Sequence, residues 1–166
     1  MSETQVKSGL LEVVTTISLP PTPKFVAIDN FKVNTARRAP VKISYLSDNF
    51  TTRFLAGEGK TEEPADAVEL TVRKLLKNSL DKPITDELGD KTETTLAQFY
   101  EALRLQRGGK RGALLNDGWW SIFYIRDAEG TLWAVFARWY DVGGDLYAYS
   151  VTDPYSWPQD SQVVSR

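Results

Sequence analysis

The sequence predicts an α+β domain built on a mostly antiparallel sheet, with two amphipathic helices packed on one face and a C-terminal three-stranded meander. Three observations predict this fold. Apolar and polar residues alternate in the first third of the chain, apolar residues recur at helical spacing in the middle, and three aromatic-rich runs separated by turn residues lie near the end. Strands, then helices, then strands is an order typical of α+β proteins. The 166 residues fit a single domain.

Residues 10–55 are predicted to form the N-terminal strands, after a polar segment, residues 1–9, that is predicted to be disordered. Apolar side chains alternate with mostly polar ones from Leu11 to Leu19, which is typical of a half-buried strand. The prolines that follow end this strand, because proline cannot donate to a ladder. Further strands are predicted at residues 25–33, 41–45 and 50–55.

Residues 64–107 are predicted to be the helical middle of the domain. Apolar residues recur at helical spacing over residues 65–77, which predicts an amphipathic helix. Proline and glycine then interrupt the pattern, and residues 84–88 are predicted to form a single helical turn. A second helix is predicted after a cap at Thr92 or Thr94. Its apolar stripe is Leu96, Phe99, Tyr100 and Leu103.

Residues 118–165 are predicted to contain the meander. Its strands are predicted at residues 119–126, 132–140 and 146–152, joined by the turn sequences DAEG and DVGGD. The middle strand is apolar on both faces except at Arg138, so either both faces are covered or one shows aromatic rings to a partner. We expect covering. A short edge strand is predicted at residues 162–165.

The composition excludes several kinds of chemistry. Cysteine and histidine are both absent, which excludes disulfides, thiol nucleophiles, zinc sites with these ligands and a Ser–His–Asp triad. The net charge of −2 provides no overall basic field for nucleic acid. No apolar run is long enough to span a membrane, and the N-terminus lacks the features of a secretory signal. We therefore expect a cytoplasmic protein, with no membrane association and with no metal or cofactor.

The most distinctive charged feature is a basic segment at the end of the second predicted helix. Its residues are Arg104, Arg107, Lys110 and Arg111, in the sequence RLQRGGKRG. Cations near a helix C-terminus complement the helix dipole, and that effect alone accounts for their position. Guanidinium groups on glycine-rich backbone also suit an anion, either phosphate or a carboxylate surface.

Aromatic residues are concentrated in the last quarter of the chain. Trp and Tyr rings stack on sugars, bases and partner side chains, but they also form ordinary sheet cores. Trp119 and Trp120 follow the basic segment, and Trp157 lies between Ser156 and Pro158 in a predicted loop. We expect most of these rings to be buried and Trp157 to be the best candidate for an exposed one.

Other motifs are weak. The loop GEGKTEE lacks the glycine spacing of a Walker A motif and is interpreted as a surface loop. A helix-turn-helix hypothesis for the middle of the chain is opposed by the acidic Glu101 on the polar side of the second helix. Carboxylates abound in the loops, but their spacing does not reproduce a calcium loop.

The C-terminal third resembles a group of uncharacterised bacterial proteins found mainly in candidate-phylum genomes. The resemblance rests on GWWSIFYIRD, GTLWAVFARW, LYAYSVTDPYSW and the closing QVVSR, roughly the last 50 residues. It implies that the meander is a recurring unit of a cytoplasmic bacterial protein. It implies no catalytic residue.

These patterns favour a non-enzymatic binding or interaction module that recognises a protein or an acidic ligand. Its predicted surface combines the basic segment with the neighbouring aromatic residues Trp119 and Trp120 and with Trp157. Two alternatives stay open. The chain could bind an oligonucleotide through the same residues by charge and stacking, or it could be a small hydrolase that works with carboxylates. The sequence indicates neither the strand order nor the oligomeric state.

Overall fold

The computed structural model describes residues 9–106, residue 114, and residues 120–140, 143–153 and 155–166. Within these residues the chain forms ten β-strands and four α-helices. The fold class is α+β with a mostly antiparallel sheet, as the sequence predicts. Residues 1–8 of the segment predicted to be disordered lie outside the described residues.

The strands and helices are short and closely spaced along the chain. The strands are β1 (Leu11–Leu19), β2 (Phe25–Val26), β3 (Ile43–Leu46), β4 (Thr61–Glu62), β5 (Val68–Leu75), β6 (Glu93–Thr94), β7 (Ser121–Arg126), β8 (Leu132–Tyr140), β9 (Gly143–Ser150) and β10 (Gln162–Ser165). The helices are α1 (Ala27–Asn30), α2 (Asp48–Phe50), α3 (Asp81–Leu88) and α4 (Leu96–Leu105). A π-helical turn, Thr51–Leu55, continues α2, and a 3₁₀ turn, Gly89–Lys91, follows α3.

Eight of the strands form one mixed sheet in the order β1-β5-β10-β7-β8-β9-β3. The eighth strand, β6, pairs with β7 next to the segment of β7 that pairs with β10. The pairs β1–β5, β5–β10, β7–β8 and β8–β9 are antiparallel. The pairs β10–β7, β6–β7 and β3–β9 are parallel. Strands β2 and β4 form a separate small sheet.

Side chains of the sheet divide between two faces because successive residues of a strand point in opposite directions. The first face carries Phe123 of β7 and Val135 of β8 and packs against the buried side of α4. The second face carries Ile122 and Phe136 and packs against α3. The two sides of the sheet therefore have separate apolar cores.

The predicted helix over residues 65–77 is wrong, because the structure has strand β5 there. Val68, Val72 and Leu75 satisfy helical spacing, but Val68, Leu70 and Val72 also satisfy the alternation of a strand. The position of β5 between β1 and β10 decides between the two, since pairing on both sides satisfies its backbone and buries Leu70 and Val72. The predicted packing of two amphipathic helices on one face is therefore not confirmed, because the first of them is a strand. Helix α4 packs on the first face and α3 on the second.

Three smaller predictions also need correction. Residues 50–55 are helical rather than extended, and the Ser47 hydroxyl caps this segment by accepting a hydrogen bond from the Phe50 amide at 3.2 Å. The segment after Val26 turns into α1 instead of continuing as a strand to Val33. Strand β10 lies inside the sheet between β5 and β7, not at an edge.

The predicted second helix is confirmed as α4, although its cap is Thr95 rather than Thr92 or Thr94. The Thr95 hydroxyl and the Gln98 side chain form a reciprocal capping box. The Glu62 carboxylate also accepts hydrogen bonds from the amides of Leu96 and Ala97 at 2.8 and 2.9 Å. A carboxylate at a helix N-terminus is stabilising, and here it joins the small sheet to α4.

Candidate functional site

The basic segment is represented in the described residues by Arg104 alone. Arg104 lies in the last turn of α4, where its Nε and Nη2 atoms each donate to the Glu101 carboxylate at 2.7 Å. This bidentate pair neutralises much of the charge that an anionic ligand would need. The predicted site residues Arg107, Lys110, Arg111 and Trp119 lie outside the described residues.

Trp157, predicted to be exposed, is completely buried, with 0% of its surface accessible. Its backbone forms a two-way bridge with Ser79, with N–O distances of 2.7 and 3.0 Å. Its indole N–H donates to Asp81 Oδ1 at 2.7 Å. The flanking serine and proline indicate a loop correctly, but a loop can still place one large ring in the core. The prediction of exposure is therefore wrong.

Trp120 and Trp157 come together on the second face of the sheet. Their rings lie 5.5 Å apart in an edge-on arrangement. Arg104 lies on the other side of the sheet, because α4 packs on the first face. Among the described residues, the predicted combination of Arg104 with these two tryptophans does not form one surface.

A different group of aromatic side chains forms a continuous cluster on the second face of β7, β8, β9 and β3. We call the exposed and half-buried side chains of this cluster the aromatic face: Tyr45, Trp120, Arg138, Tyr140, Tyr147, Tyr149 and Tyr155. Alternation along β8 and β9 places these side chains on one side of the sheet. Pairing of β3 with β9 brings Tyr45 to within 5.7 Å of the Tyr147 ring.

Buried rings form the floor of the aromatic face. Phe136 stacks on Tyr147 with ring centroids 5.0 Å apart and meets Tyr149 edge-on at 4.9 Å. Trp157 stacks on Tyr149 at 5.7 Å and meets Tyr155 edge-on at 4.8 Å. Each half-exposed tyrosine of this group is therefore held by packing from below, which limits its rotamers.

One cation and one anion lie next to each other within this surface. The Arg138 guanidinium is 5.4 Å from the ring of Trp120 and 5.4 Å from the ring of Tyr140. Across the β8–β9 ladder, Arg138 faces Asp145. Asp145 accepts hydrogen bonds from the Ser44 hydroxyl at 2.7 Å and from the Tyr147 hydroxyl at 3.4 Å. The surface is therefore aromatic with paired charges, not uniformly basic.

A buried carboxylate lies below the aromatic face. Asp81, at the start of α3, accepts hydrogen bonds on Oδ1 from the Tyr124 hydroxyl and the Trp157 indole, both at 2.7 Å. Among the described residues its Oδ2 has no hydrogen-bond partner. Burial raises the pKa of Asp81 and the charge of Asp153 raises it further, while the two hydrogen bonds act in the opposite direction.

Sequence reasoning selected Trp120 as a binding residue, and the structure places Trp120 in the aromatic face, whose other members were not selected. The alternation of β8 was a usable signal, because it places Arg138 and Tyr140 on the same side of one strand. Tyr45 had no such signal. Its strand lies about a hundred residues from β9 in the sequence, and only the parallel pairing of β3 with β9 brings it to the surface.

Comparison with protein-family models found no model that matches the chain, and no curated protein and no solved structure matches it either. In the described part of the chain, no group of three or more acidic side chains is arranged to hold a metal ion. None of the described helices is long and apolar enough to cross a membrane.

Proposed function

We propose that the protein is a non-enzymatic binding module that recognises a protein partner through the aromatic face. One observation carries this proposal: half-exposed tyrosines, a tryptophan and an arginine form one continuous surface above a closed aromatic floor. Tyr, Trp and Arg are the residue types enriched in the energetic centres of protein interfaces. Large apolar clusters that stay accessible on a folded domain commonly mark interaction sites.

The packing of the aromatic face supports binding at low entropic cost. Tyr147 and Tyr149 are held against Phe136, and Trp120 is held between Trp157 and Arg138. Binding to ordered side chains costs less conformational entropy than binding to mobile ones, about 0.5–1.5 kcal/mol for each side chain that need not be immobilised. Tyrosine is well suited to this role because its ring gives apolar contact and its hydroxyl can meet a polar partner.

The charges favour a protein over a polyanion. Asp145 faces Arg138 directly, so a phosphate at Arg138 would also approach a carboxylate. An oligonucleotide therefore fits less well, although the rings could stack on bases. A carboxylate hydrolase is also less favoured. The raised pKa of Asp81 suits a general acid, but this carboxyl group is buried under Trp157 and Tyr124, out of reach of a substrate.

Several sequence predictions belong to the same proposal. Arg107, Lys110 and Arg111 are proposed to extend the binding surface, with Trp119 next to Trp120 in the chain. A cytoplasmic location in a bacterial cell and the C-terminal meander as a recurring unit are proposed as well.

The test is affinity capture of the tagged full chain from its native cell, with and without nuclease. We expect a stoichiometric protein partner that resists nuclease and is lost from a Tyr45→Ala/Tyr140→Ala double variant, because both rings lie in the exposed part of the aromatic face. Val33→Ala is the matched control, since Val33 is also exposed but follows α1, which packs on the other side of the sheet.

Capture that is unchanged in the double variant would contradict the proposal. Loss of every partner on nuclease treatment would indicate that the chain binds an oligonucleotide and not a protein.

A further inference from the structure

We propose that the protein forms a homodimer in which the β1 strands of two copies pair antiparallel along their outer edges. Strand β1 is at one end of the sheet and, among the described residues, pairs only with β5. Its sequence, LEVVTTISL, contains no proline or glycine and only one charged residue. An edge strand of this kind presents backbone N–H and C=O groups that can accept another strand, unless charges, proline or a cover protect it.

The middle of β1 is uncovered on both faces of the sheet. Residues 12–16 are all exposed, whereas the end of the strand contains the buried residues Ile17 and Leu19. Val13 and Val14 keep 59% and 49% of their surface accessible, which is unusual for β-branched residues in a strand. A second β1 strand alongside would cover both valines.

The charge pattern selects a second copy in antiparallel orientation. Parallel pairing of two β1 strands would place the Glu12 side chains next to each other. Antiparallel pairing about a twofold axis at Thr15 places the two Glu12 side chains at opposite ends of the paired segment, away from each other. The single charge then meets no like charge, and the same patch serves both copies, as an isologous interface requires.

The register of β1 against β5 shifts between Val13 and Thr15, so Val14 has no partner residue on β5. Bulges increase local twist and can protect an edge. Here the twofold axis would put the two bulges on opposite sides of Thr15, and the regular segment that follows in each strand would lie alongside the bulge of the other.

Such a dimer would present two aromatic faces. The twofold axis of an antiparallel pair within one sheet is perpendicular to the sheet, so both copies would keep the same face on the same side. Strand β3 lies at the opposite end of the sheet from β1, so pairing through β1 leaves the aromatic face open. Two linked copies of a site can bind a repeated partner far more tightly than one. This consequence rests on the proposed function, whereas the dimer itself does not.

The test is sedimentation equilibrium of the full chain over micromolar to millimolar protein concentrations. We expect a monomer–dimer equilibrium in the wild type and a dissociation constant raised at least ~10-fold in Val14→Lys, because two lysines would lie close to the twofold axis. Val33→Lys is the matched control: Val33 is 61% exposed but is not on β1, so this variant should dimerise like the wild type.

Circular dichroism should show that Val14→Lys remains folded, and Val13→Lys is the second variant if it does not. A wild type that is monomeric at every concentration would overturn the proposal. So would a dimer that tolerates lysine at both positions. The Tyr45→Ala/Tyr140→Ala variant should dimerise normally, so failure of the aromatic face to bind a partner and failure of dimerisation are separate results.

Discussion

Asp81 and Asp127 are both buried, with 2% and 4% of their surface accessible, and lie on opposite faces of the sheet. Each accepts a hydrogen bond from an indole N–H, Asp81 from Trp157 at 2.7 Å and Asp127 from Trp133 at 2.9 Å. Yet the pKa of Asp81 is raised and that of Asp127 is lowered. Burial and one indole donor therefore do not determine the charge state of a carboxyl group.

The difference lies in the remaining donors of Asp127. Burial alone would raise its pKa, but the amides of Thr131 and Glu129 both donate to Oδ1 at 2.9 Å, and the Trp133 indole donates to Oδ2. The nearby guanidinium of Arg53 lowers the pKa further. The turn between β7 and β8 thus holds two backbone donors on the carboxylate, so that both oxygens are satisfied.

Asp81 has fewer donors and an unfavourable neighbour. Both of its hydrogen bonds end on Oδ1, Oδ2 has no partner among the described residues, and the anion Asp153 raises its pKa further. A buried carboxylate supported on one oxygen only is more costly to ionise. The donor count, rather than the depth of burial, separates the two sites.

The largest expected effect is that of Asp127→Asn. Asparagine has only one acceptor oxygen, so its NH2 group would face either the Trp133 indole N–H or the two backbone amides, and we expect a loss of ~2 kcal/mol in the free energy of unfolding at neutral pH. Because the folded pKa is lowered, the contribution of the carboxylate is present above the unfolded value of 3.8 and is lost as the pH falls through the folded pKa. Urea denaturation at several pH values should show the difference between wild type and variant shrinking in acid. A constant difference would contradict this explanation.

Asp81→Asn should not destabilise the protein at neutral pH, in contrast to Asp127→Asn. The amide oxygen can still accept from Tyr124 and Trp157, and the nitrogen replaces the oxygen that has no partner. Because the folded pKa is raised, the favourable contribution of Asp81 is present below 3.8 and is lost as the pH rises through the folded pKa. At neutral pH we therefore expect no loss of stability and a gain of up to ~1 kcal/mol. The same series of urea denaturations measures this change in the free energy of unfolding. A loss of stability as large as that of Asp127→Asn would show that the two sites are equivalent.

The smallest expected effect is that of Arg53→Ala. The guanidinium lies 4.9 Å from the Trp133 ring, and an exposed cation–π contact contributes ~0.5 kcal/mol. The variant should raise the pKa of Asp127 and leave that of Asp81 unchanged, because Arg53 lowers the pKa of Asp127, whereas the causes that shift the pKa of Asp81 are burial, its two hydrogen bonds and Asp153. Carboxyl resonances followed by NMR across a pH titration give both values in one sample. An equal shift at both aspartates would point to a change in the whole fold.

The spacing of apolar residues predicted the secondary structure correctly where it satisfied one period only. The strand Leu11–Leu19 and the helical stripe of α4 were both predicted correctly. Helix α4 has one buried side and one exposed side, whereas only Ile17 and Leu19 of β1 are buried. The segment that forms β5 was misread, because its apolar spacing satisfies both periods. Trp157 was misread for a different reason: the backbone bridge to Ser79 that buries it joins residues 78 positions apart in the chain.

The sequence by itself determined the fold class, the chemistry excluded by the absence of cysteine and histidine, and the concentration of aromatic residues in the last quarter of the chain. The tertiary structure decided which of those rings are accessible. Pairing of β3 with β9 placed Tyr45 beside Tyr147, and packing of α4 on the first face left Arg104 on the other side of the sheet. The physical reason is that alternation assigns each side chain to a side of its strand, whereas strand order, set by long-range pairing and packing, assigns its neighbours.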